Sequence, residues 1–421
     1  MSNETFDLPP TNSGRAAARP FHRQWLMRQS DRLFDFFERS SINRDGGFHD
    51  LDSVGHPVNR DNPLRQIHAT GRMVHCFAIG SLLGRPGSDE IVDHGMRYLI
   101  EHHRDKTHGG YIWSLDNNGP RDDSKQAYGH AFVLLAGSSA KLAGHPLADR
   151  LIADVSEVID KRFWEEEHGA ISEEYANDWS KITDYRGQNS NMHMTEALMA
   201  AYEATGEKLY LQRAERIAKL IIGKHALELD YRVAEHFDAD WTLDKDYTGN
   251  EMFRPSGSTP GHWLEWSRLL MQLWVLGHKA EPWLPDAARG LFRKAIELGW
   301  DDKHGGFYYT LDWNNQPIMR EKLWWPVCEA IAAAAFFTHY DQDPFFEIWY
   351  RRLWDFAANH LIDHENSGWR PELQEDLTPV ERLFVGKPDI YHALQACLIP
   401  LFPATGSVTH AIIESNRPAH R

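Results

Sequence analysis

The sequence is short of the features that mark several large classes of protein. Its 421 residues contain three cysteines, Cys76, Cys328 and Cys397, an odd number with no CxxC spacing. That excludes a disulfide framework or a cysteine zinc site, and their apolar neighbours mark all three as reduced core residues. No apolar run approaches the roughly 20 residues of a membrane helix, and the polar N-terminus has no apolar signal region. The expected location is the cytoplasm. Basic residues are in deficit, 45 Lys and Arg against 61 Asp and Glu, and the net charge of −16 excludes a phosphate-binding face for nucleic acid. There is no GxxxxGK[ST] loop, no GxGxxG entering a helix, no GxSxG elbow and no HExxH, so neither nucleotide nor zinc-protease chemistry is written in the chain. No cofactor and no metal is expected. What the chain has in quantity is apolar residues (42%), tryptophan (16) and histidine (24). Histidine is the side chain most easily tuned to move protons near neutral pH.

Apolar positions at helical spacing predict twelve helices, near residues 20–40, 66–83, 88–103, 124–142, 147–163, 191–205, 207–222, 261–276, 284–298, 322–338, 344–360 and 389–401. Glycine-led, aromatic-rich loops separate them in pairs. Three are alike: Asp45-Gly-Gly-Phe-His, His108-Gly-Gly-Tyr-Ile-Trp and His304-Gly-Gly-Phe-Tyr-Tyr. The six loops begin near residues 46, 109, 169, 232, 305 and 368, a spacing of roughly 60–70 residues, enough for a helix pair and a long loop. A helix with one apolar stripe cannot bury it alone. Alternating inner and outer rings would bury all twelve, with short β-hairpins at one end. A linear solenoid would need polar end caps, and the last helix (Ile390, Leu394, Cys397, Leu398) is not one. The expected fold is therefore an all-α, closed (α/α)6 toroid over residues 19–405, with a disordered tail at 1–18 and a C-terminal tail at 406–421.

Alternating helix direction starts every second helix at the same end of the ring. Those helices carry polar groups in their early turns: Arg72; Tyr128 and His130; Asn191 and His193; His262 and Glu265; Glu329; His392. The stretch Arg254-Pro-Ser-Gly-Ser-Thr-Pro-Gly-His-Trp-Leu-Glu-Trp266 shows the pattern best. Pro260 and Gly261 open the helix, and His262 and Glu265 share a face. For one such residue a satisfied core side chain is the plainer reading, but six at one register favour function, because buried ionisable groups are costly unless paired or used. The pairs His193/Glu196 and His262/Glu265 are weak evidence for a metal. Glu265 with Glu329 could form a glycosidase pair, which leaves the histidines without a task. Imidazoles at a tryptophan-lined mouth suit proton transfer on an open-chain sugar, with Arg72, Arg254 and Asn191 beside the developing oxyanion.

The segments Asn189-Ser-Asn-Met-His193, Glu235-His-Phe-Asp238, Thr259-Pro-Gly-His-Trp-Leu-Glu-Trp266, Trp325-Pro326 and Lys387-Pro-Asp-Ile-Tyr-His392 resemble the N-acylglucosamine 2-epimerase superfamily. Within it they are most similar to the bacterial aldose–ketose isomerase branch, which includes mannose and sulfoquinovose isomerases. The resemblance implies an (α/α)6 barrel, a monosaccharide substrate and no cofactor. It implies D-mannose/D-fructose interconversion, with D-lyxose/D-xylulose as a second pair, and it leaves a homo-oligomer open. It assigns the C1–C2 proton transfer to His392, and ring opening and a second proton transfer to His262, with Glu265 as the partner of His262. It places His193, Arg72 and Arg254 in binding and electrostatic positions, and Asn189, Tyr128, Trp325 and Glu329 at the sugar. The chain departs from the branch at Gln66-Ile-His-Ala-Thr-Gly-Arg72, where a Trp near His68 and an Ala near Gly71 are expected. Sulfoquinovose is the rival substrate, with Arg72 and Arg65 or His68 as a cationic pocket. A sugar 2-epimerase is the next rival, and a non-catalytic sugar-binding toroid is the rival from outside enzyme chemistry.

Overall fold

The computed structural model describes residues 15–416. In chain order its helices are α1 (Pro20–Ser40), α2 (Ile67–Leu82), α3 (Ser88–Tyr98), α4 (Ala127–Leu142), α5 (Ala148–Val158), α6 (Gln188–Thr205), α7 (Lys208–Ala218), α8 (Pro260–Leu276), α9 (Trp283–Lys294), α10 (Trp324–Tyr340), α11 (Pro344–Phe356), α12 (Tyr391–Leu398) and α13 (Val408–Asn416). The even-numbered helices form the inner ring, each packed on the next, and α12 meets α2 to close it. Helices α3, α5, α7, α9 and α11 lie outside, each against the inner helix before it, and α1 lies against α12. This is the twelve-helix (α/α)6 barrel the loop spacing predicts.

Burial explains which helix goes where. Outer helix α9 buries one stripe (Leu284, Ala287, Ala288, Leu291, Phe292). Inner helix α10 is buried at every position from Trp324 to Thr338, as an element apolar all round must be. Inner helices also come close together. A methyl group added at Gly71 of α2 would sit 2.7 Å from the Phe132 carbonyl oxygen of α4. That contact accounts for glycine where an alanine was expected.

The inner helices begin without side-chain N-caps, although their first N–H groups need acceptors. The neighbouring loop supplies them. Ile67 N–H donates to Trp113 O, Ala127 N–H to Glu173 O, and Gln188 N–H to Glu235 O. Short antiparallel ladders extend the same contact: Arg65–Gln66 with Ser114–Leu115, Lys125–Gln126 with Glu174–Tyr175, Arg186–Gly187 with His236–Phe237, and Lys322–Leu323 with Glu372–Leu373. Bridges Ser258–Leu311 and Leu51–Lys387 complete the circle. Hairpins form as expected, at Ser114–Asp116 with Gly119–Asp122 and at Thr310–Leu311 with Pro317–Met319. Most of the remaining strands instead join one repeat to the next. Three lysines that precede inner helices are buried on aspartates of their own loops: Lys125 on Asp105 (2.7 Å), Lys322 on Asp301 (3.0 Å) and Lys387 on Asp363 (2.5 Å).

Both expected tails need correction. Residues 1–14 and 417–421 lie outside the described residues. Ala16–Ala18, however, form a 3-10 turn in which Ala17 is buried and Ala16 N–H donates to Glu347. Helix α13 falls in the span expected as a C-terminal tail. It packs on α2 and α4 and buries Val408, Ala411 and Ile412. Among the described residues no helix is long and apolar enough to cross a membrane.

Candidate active site

A cavity of about 370 Å³ opens at the loop end of the barrel. The first turns of all six inner helices reach it: His68 and Arg72 from α2, Tyr128 from α4, Asn189 and His193 from α6, His262 and Glu265 from α8, Trp324 and Trp325 from α10, and His392 from α12. Six helix N-termini therefore point their positive dipole ends at one space, which favours negative charge developing there. Met252 and Phe253 close one side from the loop before α8, and Phe384 and Val385 from the loop before α12.

Two of the histidines are oriented by carboxylates. His392 Nδ1 donates to Glu329 Oε1 at 2.8 Å, and Glu329 Oε2 accepts from Arg268 Nε at 2.6 Å. His262 Nδ1 donates to Glu235 at 2.9 Å. Glu235 also accepts from Gln188 Nε2 (2.7 Å) and from Thr259 N–H (3.1 Å). Trp266 Nε1 holds the Gln188 oxygen at 2.7 Å, which fixes which end of that amide faces Glu235. With Nδ1 occupied, Nε2 is the nitrogen each ring offers to the cavity. The Trp325 ring lies beside both, with centroids 5.1 Å from His262 and 5.9 Å from His392. His193 differs. Its Nδ1 has no hydrogen-bond partner, being 3.7 Å from Glu265 and 4.0 Å from Glu196. Burial lowers its pKa to about 4, so the ring is neutral.

Beneath the histidines three carboxylates share one guanidinium. Arg268, fully buried, binds Glu329 and Glu196 (3.1 Å) and lies 3.6 Å from Glu265. The Tyr391 hydroxyl donates to Glu196. Burial alone would raise the Glu329 carboxyl, but Arg268 and then His392 hold it below its usual range. Glu265 goes the other way: burial first, then the Glu329 charge, push it well above the carboxylate range, against the pull of Arg268, and so favour its protonated form. The triads His193/Glu196/Glu265 and Glu265/Glu329/His392 have donor atoms within 4.8 Å of one another and could each surround a metal ion. Arg268 already supplies positive charge between these carboxylates. From α2, Arg72 binds Asp389 (2.7 Å) and the Tyr128 hydroxyl (2.9 Å), and its guanidinium lies over the Phe132 and Tyr391 rings. Burial raises the Tyr128 pKa to about 12, so its hydroxyl keeps a proton to donate.

The cavity thus gathers His392, His262, His193, Glu265, Arg72, Asn189, Tyr128 and Trp325, as expected from sequence. Six expectations need correction. The partner of His262 is Glu235, not Glu265. Glu265 shares the helix face but lies nearly a turn deeper, facing His193 and Arg268. Glu329 stands behind His392 instead of on the cavity wall. Arg254 is drawn off by Glu174 (3.0 Å) and by the Tyr185 ring (4.6 Å), and so anchors the loop that delivers Phe253. Asn191 binds Ile171 and Gly187 backbone groups, and His130 accepts from Tyr111 N–H and bonds Gln126 O. Both are satisfied core residues. The cationic pocket sketched around Arg65 and His68 is also not built. Arg65 binds Gly46 O, Pro63 O and Asn117 outside the cavity. His68, stacked on Trp113 at 5.1 Å, is lowered to about 3 by burial and by Arg72, so it is neutral. Sequence reasoning missed Arg268, Asp389 and Gln188 as site residues. Arg268 left one trace, a charge inside the apolar run Leu264–Leu273 three residues after Glu265.

A family model described as N-acylglucosamine 2-epimerase matches residues 46–396. The chain is 42% identical over 402 residues to a D-mannose isomerase from Pseudomonas cannabina pv. alisalensis, covering 93% of this chain and 96% of that one. It is 41% identical over 403 residues to a D-mannose isomerase from Thermobifida fusca, covering 94% and 98%. A crystal structure of D-mannose isomerase superposes with a TM-score of 0.85 at 33% identity, over 90% of this chain and 97% of that chain.

Proposed function

The chain belongs to the N-acylglucosamine 2-epimerase family, and from that premise we propose that it is an aldose–ketose isomerase that interconverts D-mannose and D-fructose. One observation carries the reading: imidazoles from three separate inner helices, His193, His262 and His392, border one sugar-sized cavity. Relatives named D-mannose isomerase at 41–42% identity support the choice of sugar.

The chemistry follows from the carbonyl. In the open-chain aldose, C1=O acidifies the hydrogen on C2. His392 Nε2 takes that proton. The Glu329–Arg268 chain behind Nδ1 holds the ring in place and stabilises the imidazolium. Electrons from the C2–H bond form the C1–C2 double bond of an enediol, and O1 gains a proton from Glu265. His392 then returns its proton to C1, while O2 gives its proton back to Glu265 and becomes the ketone. No proton is gained or lost overall. Arg72, Tyr128 and the helix N-termini favour the charge that builds on the oxygens. His262, with Glu235 behind it, serves ring opening, moving a proton between the anomeric hydroxyl and the ring oxygen. A positioned acid–base group contributes about 100- to 10,000-fold.

The test is product identity. Incubated with D-mannose and followed by proton NMR, the protein should yield D-fructose. Glucose as the sole product would make it a 2-epimerase. Binding without turnover would make it a sugar-binding toroid.

A further inference from the structure

Of the carboxylates on the cavity wall, Glu265 serves the proposed reaction and Asp389 is paired with Arg72, which leaves one without a task. Asp50 lies in the loop between α1 and α2 and lines the cavity. Its side chain is exposed to solvent. Among the described residues its carboxylate has no ion-pair partner and accepts no hydrogen bond. The two permanently cationic side chains on the wall are both committed, Arg72 to Asp389 and Lys387 to Asp363. His68 is held neutral. Among the described residues the wall therefore offers an unpaired anion and no unpaired lysine or arginine.

A monosaccharide whose C1 and C2 lie against His392 and His262, in the first turns of the inner helices, turns its far end to the mouth loops. Asp50, Val58, Phe253, Phe384 and Val385 border the cavity from those loops. We propose that Asp50 is a specificity-determining residue that reads the charge at the far end of the sugar. It accepts a hydrogen bond from the terminal hydroxyl, favours a cationic replacement, and turns away aldoses ending in a carboxylate, phosphate or sulfonate. The inference rests on the isomerase reading for the direction in which the sugar lies. Like charges repel more strongly in a partly desolvated cavity than in bulk water. An anion that meets no free cation there also gives up hydration without replacement. Burial and then Asp389 raise the Asp50 carboxyl to about 6, so it is ionised at pH 7.5.

D-Mannose, 6-amino-6-deoxy-D-mannose and D-mannuronate differ only at that end. Their binding is measured at pH 7.5 by tryptophan fluorescence, which Trp324 and Trp325 place at the cavity. The proteins compared are the wild type, Asp50→Asn, Asp50→Ser and Asp50→Glu. Turnover of D-mannose by the wild type is measured separately. The wild type should bind the amino sugar best and the uronate worst, with about 100-fold between them. Asp50→Asn and Asp50→Ser should each narrow that spread at least about tenfold, and Asp50→Glu should keep it. A wild type that does not discriminate, or a spread unchanged in whichever neutral variant folds, overturns the proposal. Failure of the wild type to convert mannose overturns the isomerase reading instead, and the order of binding still decides the role of Asp50.

Discussion

The two ends of the inner ring put similar side chains to different uses. At the loop end His193, His262 and His392 border about 370 Å³ of open space. At the other end His75, Glu203, Gln272 and Gln395 border a cavity of about 10 Å³, and α13 covers it. Helix α2 takes part in both, with Arg72 on one cavity and His75, a turn later, on the other. His75 Nδ1 meets the Ser139 hydroxyl at 2.7 Å, and burial lowers its pKa to about 4. It is a histidine of the core. The difference lies in the chain that adjoins each helix end. Long loops stand off from the N-termini and leave a space, while short turns and α13 close the C-termini. A buried histidine becomes a candidate for chemistry only when one of its nitrogens has open space before it.

The contrast breaks most sharply by truncation. Converting His392 to Ala should lower kcat for mannose isomerisation by about 1,000-fold or more with an unchanged circular dichroism spectrum. His75→Ala should leave kcat within about threefold and cost about 1–3 kcal/mol of stability in denaturant titration. Equal losses from both would erase the distinction. Next in size is Lys125→Ala, which removes the lysine from Asp105 and leaves that carboxylate only its hydrogen bonds from Thr107, His108 and Asn177. It should cost about 3–5 kcal/mol of stability, read from the denaturant midpoint, with kcat almost unaffected, because the ion pair supports the ring and not the cavity. Glu235→Gln removes the carboxylate that orients His262. We expect kcat to fall about 10- to 100-fold with a smaller change in KM, since His262 acts on ring opening; a change in KM alone would place Glu235 in binding. The smallest effect is shared by both ends. His193 and His75 have folded-state pKa values of about 4, below the ordinary 6.5 of an unfolded chain. Between those values the unfolded chain binds more protons, so stability is full above about 6.5 and falls as pH drops towards 4. The Tm should decline over that window, and less steeply in His75→Gln.

The helices, their number and the closed ring were legible because apolar stripes and glycine-led loops recur along the chain. The gathering of His193, His262 and His392 was legible for the same reason, as each falls in the first turns of a helix that follows a long loop. Their partners were not. Glu235 meets His262 across 27 residues and Glu329 meets His392 across 63, distances over which helical spacing says nothing. Spacing instead pointed to Glu265, three residues from His262, although the preceding loop presents Glu235 nearer the Nδ1 atom. Arg254 reads as a free cation in sequence, because Glu173 and Glu174 come from a different repeat. Helix α13 was missed because nine residues with three buried apolar side chains give too short a pattern.

In the proposed reaction His392 is the group that moves the proton between C2 and C1. Mannose incubated in heavy water with wild-type protein should yield fructose and exchange its carbon-bound hydrogen at C1 or C2, and His392→Ala should do neither while retaining its fold. Exchange at the wild-type rate in the His392→Ala protein would contradict it.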